Sequence, residues 1–200
     1  MIKTFIFDLG NVIVSFDHNK TAARLASVCG HESEVIFGKA ITSPLVRQYN
    51  LGKITSAEFF EAVRRELDLR MDFRDFSEAW NCTFAPEPLV SEQFIKMLAD
   101  KYKLLLLSDT NELHFDYIRE RFPALDHFDD FVLSHKAGAA KPSAEIFQAV
   151  VKIANCLPEE CFFIDDLEIN VEGARKFGLN ALQFVSQAQI EKELKTLGLM

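Results

Sequence analysis

Four short apolar runs in this chain each lead to a residue able to do chemistry, and this repeated ending limits the possible folds more than any other feature. Phe5-Ile6-Phe7 runs into Asp8, Leu104-Leu105-Leu106-Leu107 into Ser108, and Phe162-Phe163-Ile164 into Asp165-Asp166. Phe131-Val132-Leu133 leads to the loop Gly138-Ala139-Ala140-Lys141-Pro142-Ser143, which carries a lysine. Runs of this kind read as strands covered on both faces, as in a parallel sheet. In an open parallel sheet the carboxyl ends of the strands share one edge, and ligands bind in the crevice there. A carboxylate, a hydroxyl, an ammonium and an acidic pair are the groups needed to handle a phosphate and a divalent cation.

From Pro88 onward, strand and helix alternate. A helix with Val90, Phe94, Met97 and Leu98 on one face precedes strand 104–107; a helix after Asn111 precedes strand 131–133; a helix bearing Phe147, Val150, Val151 and Ala154 precedes strand 162–164. A helix through Gly173-Ala174-Arg175, a strand at 182–185 and a last helix with Ile190, Leu194 and Leu197 complete the series. This alternation predicts an α/β fold, a Rossmann-like doubly wound parallel sheet. The gap between the first strand and Lys103 far exceeds the roughly 30 residues of a simple βαβ unit, so something is inserted.

The insertion reads helical. Phe59, Phe60, Val63 and Leu67 share one helix face, and Thr55 with Glu58 forms a capping-box start. Further helices are expected at 19–28, 33–40 and 73–82, with Gly30, Gly52 and Pro86-Glu87-Pro88 as breakers. The expected organisation is a core of residues 1–14 and 87–200 with a helical cap of residues 15–86.

The chain's 200 residues, 48% hydrophobic, suffice for one compact core carrying an insertion. A formal net charge of −8 argues against a broad surface for nucleic acid or anionic membrane, which needs clustered Lys and Arg. No apolar run is long enough to span a bilayer, and Met1-Ile2-Lys3-Thr4 passes into a strand without signal-peptide features, so a cytoplasmic location is expected. Cys29, Cys82, Cys156 and Cys161 form no C-x-x-C pair and read as reduced thiols. Nineteen phenylalanines are expected in the core, and a monomer or a homodimer fits equally.

Asp8 opens the segment Asp8-Leu9-Gly10-Asn11-Val12, where a carboxylate at a strand end before a glycine turn is placed either to attack an electrophile or to cap the turn. Ser108 can donate to a phosphate oxygen, helped by backbone N–H groups where Asn111 opens a helix. Lys141 can neutralise a transferring phosphoryl group, its loop fixed by the proline at the following helix start. Asp165, Asp166 and Asn170 form an oxygen-rich set suited to Mg²⁺. Taken singly, each is as readily a surface residue or a cap.

Together and in this order, these residues resemble the four motifs of the haloacid dehalogenase-like hydrolase superfamily: Asp8, Ser108, Lys141, and Asp165-Asp166 with Asn170. The resemblance covers essentially the whole chain. The helical insertion is similar to the cap of the subfamily that holds small sugar-phosphate phosphatases. Phe-Asp-Leu-Gly-Asn-Val, Leu-Gly-Lys-Ile-Thr and Phe-Phe-Ile-Asp-Asp are similar to the bacterial α-D-glucose-1-phosphate phosphatase branch. The resemblance implies that Asp8 attacks phosphorus in line to give an aspartyl-phosphate that water then releases. It implies Mg²⁺ held by the Asp8 carboxylate, the Gly10 carbonyl and Asp166, with Asp165 supporting the metal site. Ser108 and Lys141 would grip the phosphoryl oxygens, with Asn11 and Asp109 also among the substrate-binding residues, and the ligand would be a small phosphorylated metabolite.

Two positions depart from the superfamily pattern. Most of its phosphatases carry a second aspartate two residues after the nucleophile to protonate the leaving group; here Gly10 stands there. General acid–base help is worth ~10²- to 10⁴-fold, so a slow enzyme is expected unless another group substitutes. Asp17 and His18 are the nearest replacements, although a solvent-exposed turn is the simpler expectation for both. Asp109 replaces the usual Asn after the second motif and either weakens phosphate binding or serves as an acid. Two other functions fit the same frame: a metal-independent 2-haloacid dehalogenase, against which the acidic pair stands, and a catalytically weakened protein that binds phosphate or a partner.

Overall fold

The computed structural model describes all 200 residues. Strand β1 (Thr4–Phe7) leads to β2 (Val14–Phe16) and then to five helices, α1 (His18–Cys29), α2 (Ser33–Ile36), α3 (Pro44–Asn50), α4 (Ser56–Glu66) and α5 (Phe73–Asn81). Next come β3 (Phe84–Pro88), α6 (Glu92–Ala99), β4 (Lys103–Ser108), α7 (Glu112–Arg121), β5 (Asp130–Leu133), α8 (Ser134–Ala137) and α9 (Ala144–Ala154). The chain ends with β6 (Cys161–Asp165), α10 (Glu168–Phe177), β7 (Asn180–Gln183) and α11 (Gln187–Thr196).

The main sheet has five strands in the order β5-β4-β1-β6-β7, every neighbouring pair parallel. Alternation along each strand splits its side chains between two clusters. Phe5, Phe7, Leu104, Leu106, Phe162 and Ile164 pack with α6, α7 and α11. Ile6, Leu105, Leu107 and Phe163 pack with α9 and α10 on the other face. The doubly wound parallel sheet expected from the alternation is the architecture observed. Thirteen of the nineteen phenylalanines are buried, so core packing accounts for their abundance.

Helices α1 to α5 build a third cluster of their own, centred on Tyr49, Phe59, Phe76 and Trp80. Phe59 stacks on Tyr49 at 4.5 Å and meets Trp80 edge-on at 4.9 Å. The capping box forms as expected: Glu58 N–H donates to Thr55 Oγ1 at 3.2 Å, and Thr55 N–H donates to Glu58 Oε2 at 2.8 Å.

Four local expectations fail for physical reasons. Pro86-Glu87-Pro88 belongs to β3, which pairs antiparallel with β2 in a two-stranded ribbon at both crossings to the helical segment. Each strand of such a ribbon has an open edge, where proline's missing N–H costs nothing. The helix expected at 33–40 stops at Ile36 and widens into a π turn over Phe37–Ile41, closed by Thr42 N–H to Phe37 O at 2.9 Å. Helix α3, unforeseen, starts with Pro44 in its first turn, where no N–H is required. Strand β7 lies two residues earlier than expected, because its partner β6 ends at Asp165, opposite Gln183. No helix is long and apolar enough to cross a membrane.

Candidate active site

The sheet register places Asp8 directly after β1, flanked by Ser108 at the end of β4 and Asp165 at the end of β6. Lys141 enters from the loop between α8 and α9 and bridges the carboxylates. Its Nζ donates to Asp8 Oδ1 and to Asp165 Oδ2, both at 2.7 Å, and its side chain is only 2% exposed. Burial alone would lower the lysine's pKa, yet Asp8, Asp165 and Asp109 together hold it above its ordinary value, so the ammonium stays charged. Burial pushes the Asp8 carboxyl up, with Lys141 pulling the other way. Pro142 precedes the Ser143 N-cap of α9 instead of occupying the helix start expected for it.

Asp165 is fully buried, and both its oxygens are in use. Besides Lys141 it accepts from Asn170 Nδ2 at 3.0 and 3.2 Å and from Leu167 N–H at 2.9 Å. It therefore orients the lysine. Asp8 and Asp166 accept one side-chain donor each, Lys141 and Asn11 respectively. Asp8, Asp165 and Asp166 offer oxygens within 4.8 Å of one another, a hard, anionic donor set that fits Mg²⁺, with Asp8 and Asp166 keeping capacity for the ion. Burial and the neighbouring Asp165 raise the Asp166 pKa, and Asn11 opposes them. Asn11 itself adopts a left-handed backbone, φ 53°, and spends its amide on Asp166 at 3.3 Å.

Asp8, Lys141, Asp166 and Asn170 line a cavity of about 300 Å³ beneath the helical segment, with Ser108, Asp109, Asn11 and Gly10 also in its wall. Asp109 Oδ1 accepts from the Lys141 backbone N–H at 3.1 Å, so this unusual carboxylate tethers the lysine loop; burial raises its pKa. The backbone donors expected at the start of α7 are partly taken. His114 N–H donates to the Asn111 cap at 3.1 Å, and Leu113 N–H donates to Tyr49 Oη at 3.2 Å.

The Phe16 ring occupies the space in front of position 10: a Cβ there would lie 2.8 Å from Phe16 Cε1, so a side chain would require that ring to move. Asp17 does what a turn residue does, capping α1 by accepting from Asn19 N–H at 3.0 Å. His18 departs from the exposed-turn expectation. It is half-buried in the cavity wall, its ring 4.8 Å from that of Phe16.

Other wall residues carried little sequence signal. His114 is buried between Trp80, stacked at 5.4 Å, and Phe84, edge-on at 4.9 Å. Asn111 Nδ2 lies 3.2 Å from its Nδ1 and Trp80 O lies 3.3 Å from its Nε2, an arrangement that suits a neutral ring bearing its proton on Nε2. Burial pushes its pKa down to about 3. Asn50, at the end of α3, accepts from Asn111 Nδ2 at 3.0 Å through its side chain and from Ser134 Oγ at 2.6 Å through its carbonyl. Only an Asn-x-x-His spacing at a helix start hinted at the pairing of Asn111 with His114.

A parallel sheet that gathers an acid pair, a lysine and a hydroxyl beside a lone carboxylate defines an α/β enzyme with a polar crevice at its strand ends. The chain belongs to the haloacid dehalogenase-like hydrolases, whose family model matches residues 2–178. It is 26% identical to D-ribitol-5-phosphate phosphatase of Bacteroides thetaiotaomicron over 98% of each chain. A solved haloacid dehalogenase family enzyme of the same species, in complex with magnesium and inorganic phosphate, superposes with a TM-score of 0.85 at 30% identity, covering 94% of this chain and 96% of that one. L-2-haloacid dehalogenase of Xanthobacter autotrophicus shares the fold, with a TM-score of 0.65 at 19% identity over 100% of this chain and 85% of that one.

Proposed function

We propose that the protein is a Mg²⁺-dependent phosphatase that hydrolyses the phosphomonoester of a small neutral alcohol, a sugar or polyol phosphate, through an aspartyl-phosphate on Asp8. The observation that carries this reading is Lys141 Nζ, 2.7 Å from both Asp8 and Asp165 in a crevice that also holds Ser108 and Asp166. Asp8 attacks phosphorus in line and the ester oxygen departs toward the helical segment, residues 15–86, which acts as a cap. Ser108 donates to a phosphoryl oxygen, and Lys141 offsets the negative charge that nucleophile and phosphate bring together. Asp165 and Asp109 hold Lys141 in place, one by its ammonium and one by its backbone. Asp8, Asp166 and the Gly10 carbonyl would hold Mg²⁺, which would supply the remaining charge neutralisation.

The cavity supports a neutral leaving group. Its one ammonium is Lys141, already committed to the phosphate site, and its other titratable walls are Asp8, Asp109, Asp166 and two histidines. Burial lowers the pKa of both His18 and His114. A second anionic group on the substrate would meet Asp109 and Asp166 there and no permanent cation beyond Lys141, whereas the Asn50 amide in the wall suits a polyol. The relative that acts on D-ribitol 5-phosphate supports the same reading. A wider opening alongside shares Asn50, Asp109 and Lys141 and carries the exposed Arg47.

Phosphate release across a panel of polyol phosphates, sugar phosphates and phospho-acids tests the proposal. Turnover should concentrate on the phosphates of neutral alcohols, stop on chelation and return with Mg²⁺. Asp8→Asn should abolish it with an unchanged circular dichroism spectrum. Turnover without Mg²⁺, or undiminished in Asp8→Asn, would overturn the reading.

A further inference from the structure

Cleaving a phosphomonoester of an ordinary alcohol leaves an alkoxide that needs a proton, and position 10 supplies none. Gly10 has no side chain, and the Phe16 ring lies where one would begin. The donor must come from the titratable groups in the cavity wall: Asp8, Asp109, Asp166, Lys141, His18 and His114. Asp8 is the nucleophile and Asp166 faces the metal. Lys141 is pinned between two carboxylates, and Asp109 is committed to the Lys141 N–H. His114 has a partner at each ring nitrogen.

His18 remains. Its Nδ1 lies 3.4 Å from Oγ1 of Thr83, a residue with no solvent exposure, which leaves Nε2 without a protein partner. Its ring packs on Phe16, the ring that occupies the space in front of Gly10. The space in front of Gly10 is thus filled by the Phe16 ring, with the His18 imidazole tilted against it at 42°. An imidazole oriented through one nitrogen, with the other open to a substrate cavity, has the arrangement of a general acid–base.

Resting on the phosphatase reading above, we propose that His18 is the catalytic proton carrier of this site. In the first half-reaction Asp8 Oδ bonds to phosphorus, the phosphorus–ester oxygen bond breaks, and the departing oxygen takes the proton from His18 Nε2. In the second, neutral His18 accepts a proton from the attacking water. The Asp8–phosphorus bond breaks, its electron pair returns to the carboxylate, and His18 is left protonated for the next substrate. The sum is ester plus water giving alcohol plus phosphate, with no other reactant.

The test compares wild type, His18→Gln and Asp109→Asn on two substrates, an alkyl polyol phosphate and p-nitrophenyl phosphate, whose phenolate leaves without a proton. Read as kcat/KM, which reports formation of the aspartyl-phosphate, His18→Gln should lose about 10²-fold or more on the alkyl ester and only a few-fold on the aryl ester. It should also show a burst of nitrophenolate, because the water-activating base is gone and the phosphoenzyme accumulates. Equal losses on both esters, no loss, or the selective loss appearing in Asp109→Asn instead would overturn the assignment to His18. A wild type that releases phosphate from neither ester would instead count against the phosphatase reading itself.

Discussion

Lys141 concentrates the electrostatics of the site in one side chain. Three carboxylates compete with desolvation for control of its pKa, and they win. The ion-paired cluster is balanced only while the ammonium is present. Lys141→Ala would strand Asp8 and Asp165 as unpaired buried charges, and removing one partner of a buried pair costs about 3–5 kcal/mol. Urea unfolding at neutral pH should register that loss together with the loss of phosphate release. A conservative Lys141→Arg change should fail too, because a planar fork cannot fill a point-charge position 2.7 Å from two different carboxylates. Asn11 and Asp109 were expected among the groups that meet substrate. The structure shows a prior commitment for each, to Asp166 and to the Lys141 backbone. Such commitments depend on rotamers and neighbours, which residue type alone does not encode.

At the start of helix α7 the core is hydrogen-bonded to the helical segment. The Asn111 cap holds His114 and Asn50, and Tyr49 takes the Leu113 N–H. Because His114 is held neutral, the native state binds its proton only near pH 3, whereas the unfolded chain binds one near pH 6.5. The unfolded state therefore carries the extra proton between those values, and stability is lost as pH falls. Between pH 7 and pH 5 the loss from this group should be about 2 kcal/mol. His114→Gln should flatten that slope in paired urea titrations; an equal slope in the variant would count against it. The elements differ in how plainly they can be read. The helix at Ser56–Glu66 announces itself by its capping box and apolar face, whereas α3 and β3 take shape from their neighbours.

Across the whole molecule there are three apolar clusters, and residues of two of them, one from the sheet core and one from the helical segment, line one acidic crevice beneath the seam between segment and core. Gly52 marks the tightest point of that seam. Its backbone sits at φ +66°, and a Cβ there would lie 2.0 Å from the His135 carbonyl oxygen. Gly52→Ala meets both a conformational penalty and a backbone clash, so it should cost more than about 1 kcal/mol. It should also raise KM by loosening the Asn50 contacts, a change that denaturation and steady-state kinetics would read separately. The order and period of the apolar runs were enough to place Asp8, Ser108, Lys141, Asp165 and Asp166 at one sheet edge, since strand polarity in a parallel sheet leaves no other edge for them. The roles within that edge depended on packing between distant segments. Phe16 lying in front of position 10, His18 turning inward, Asp165 spent on its lysine and His114 kept neutral all depend on which surfaces exclude water once the chain has closed, and contacts of that kind leave no periodic trace along it.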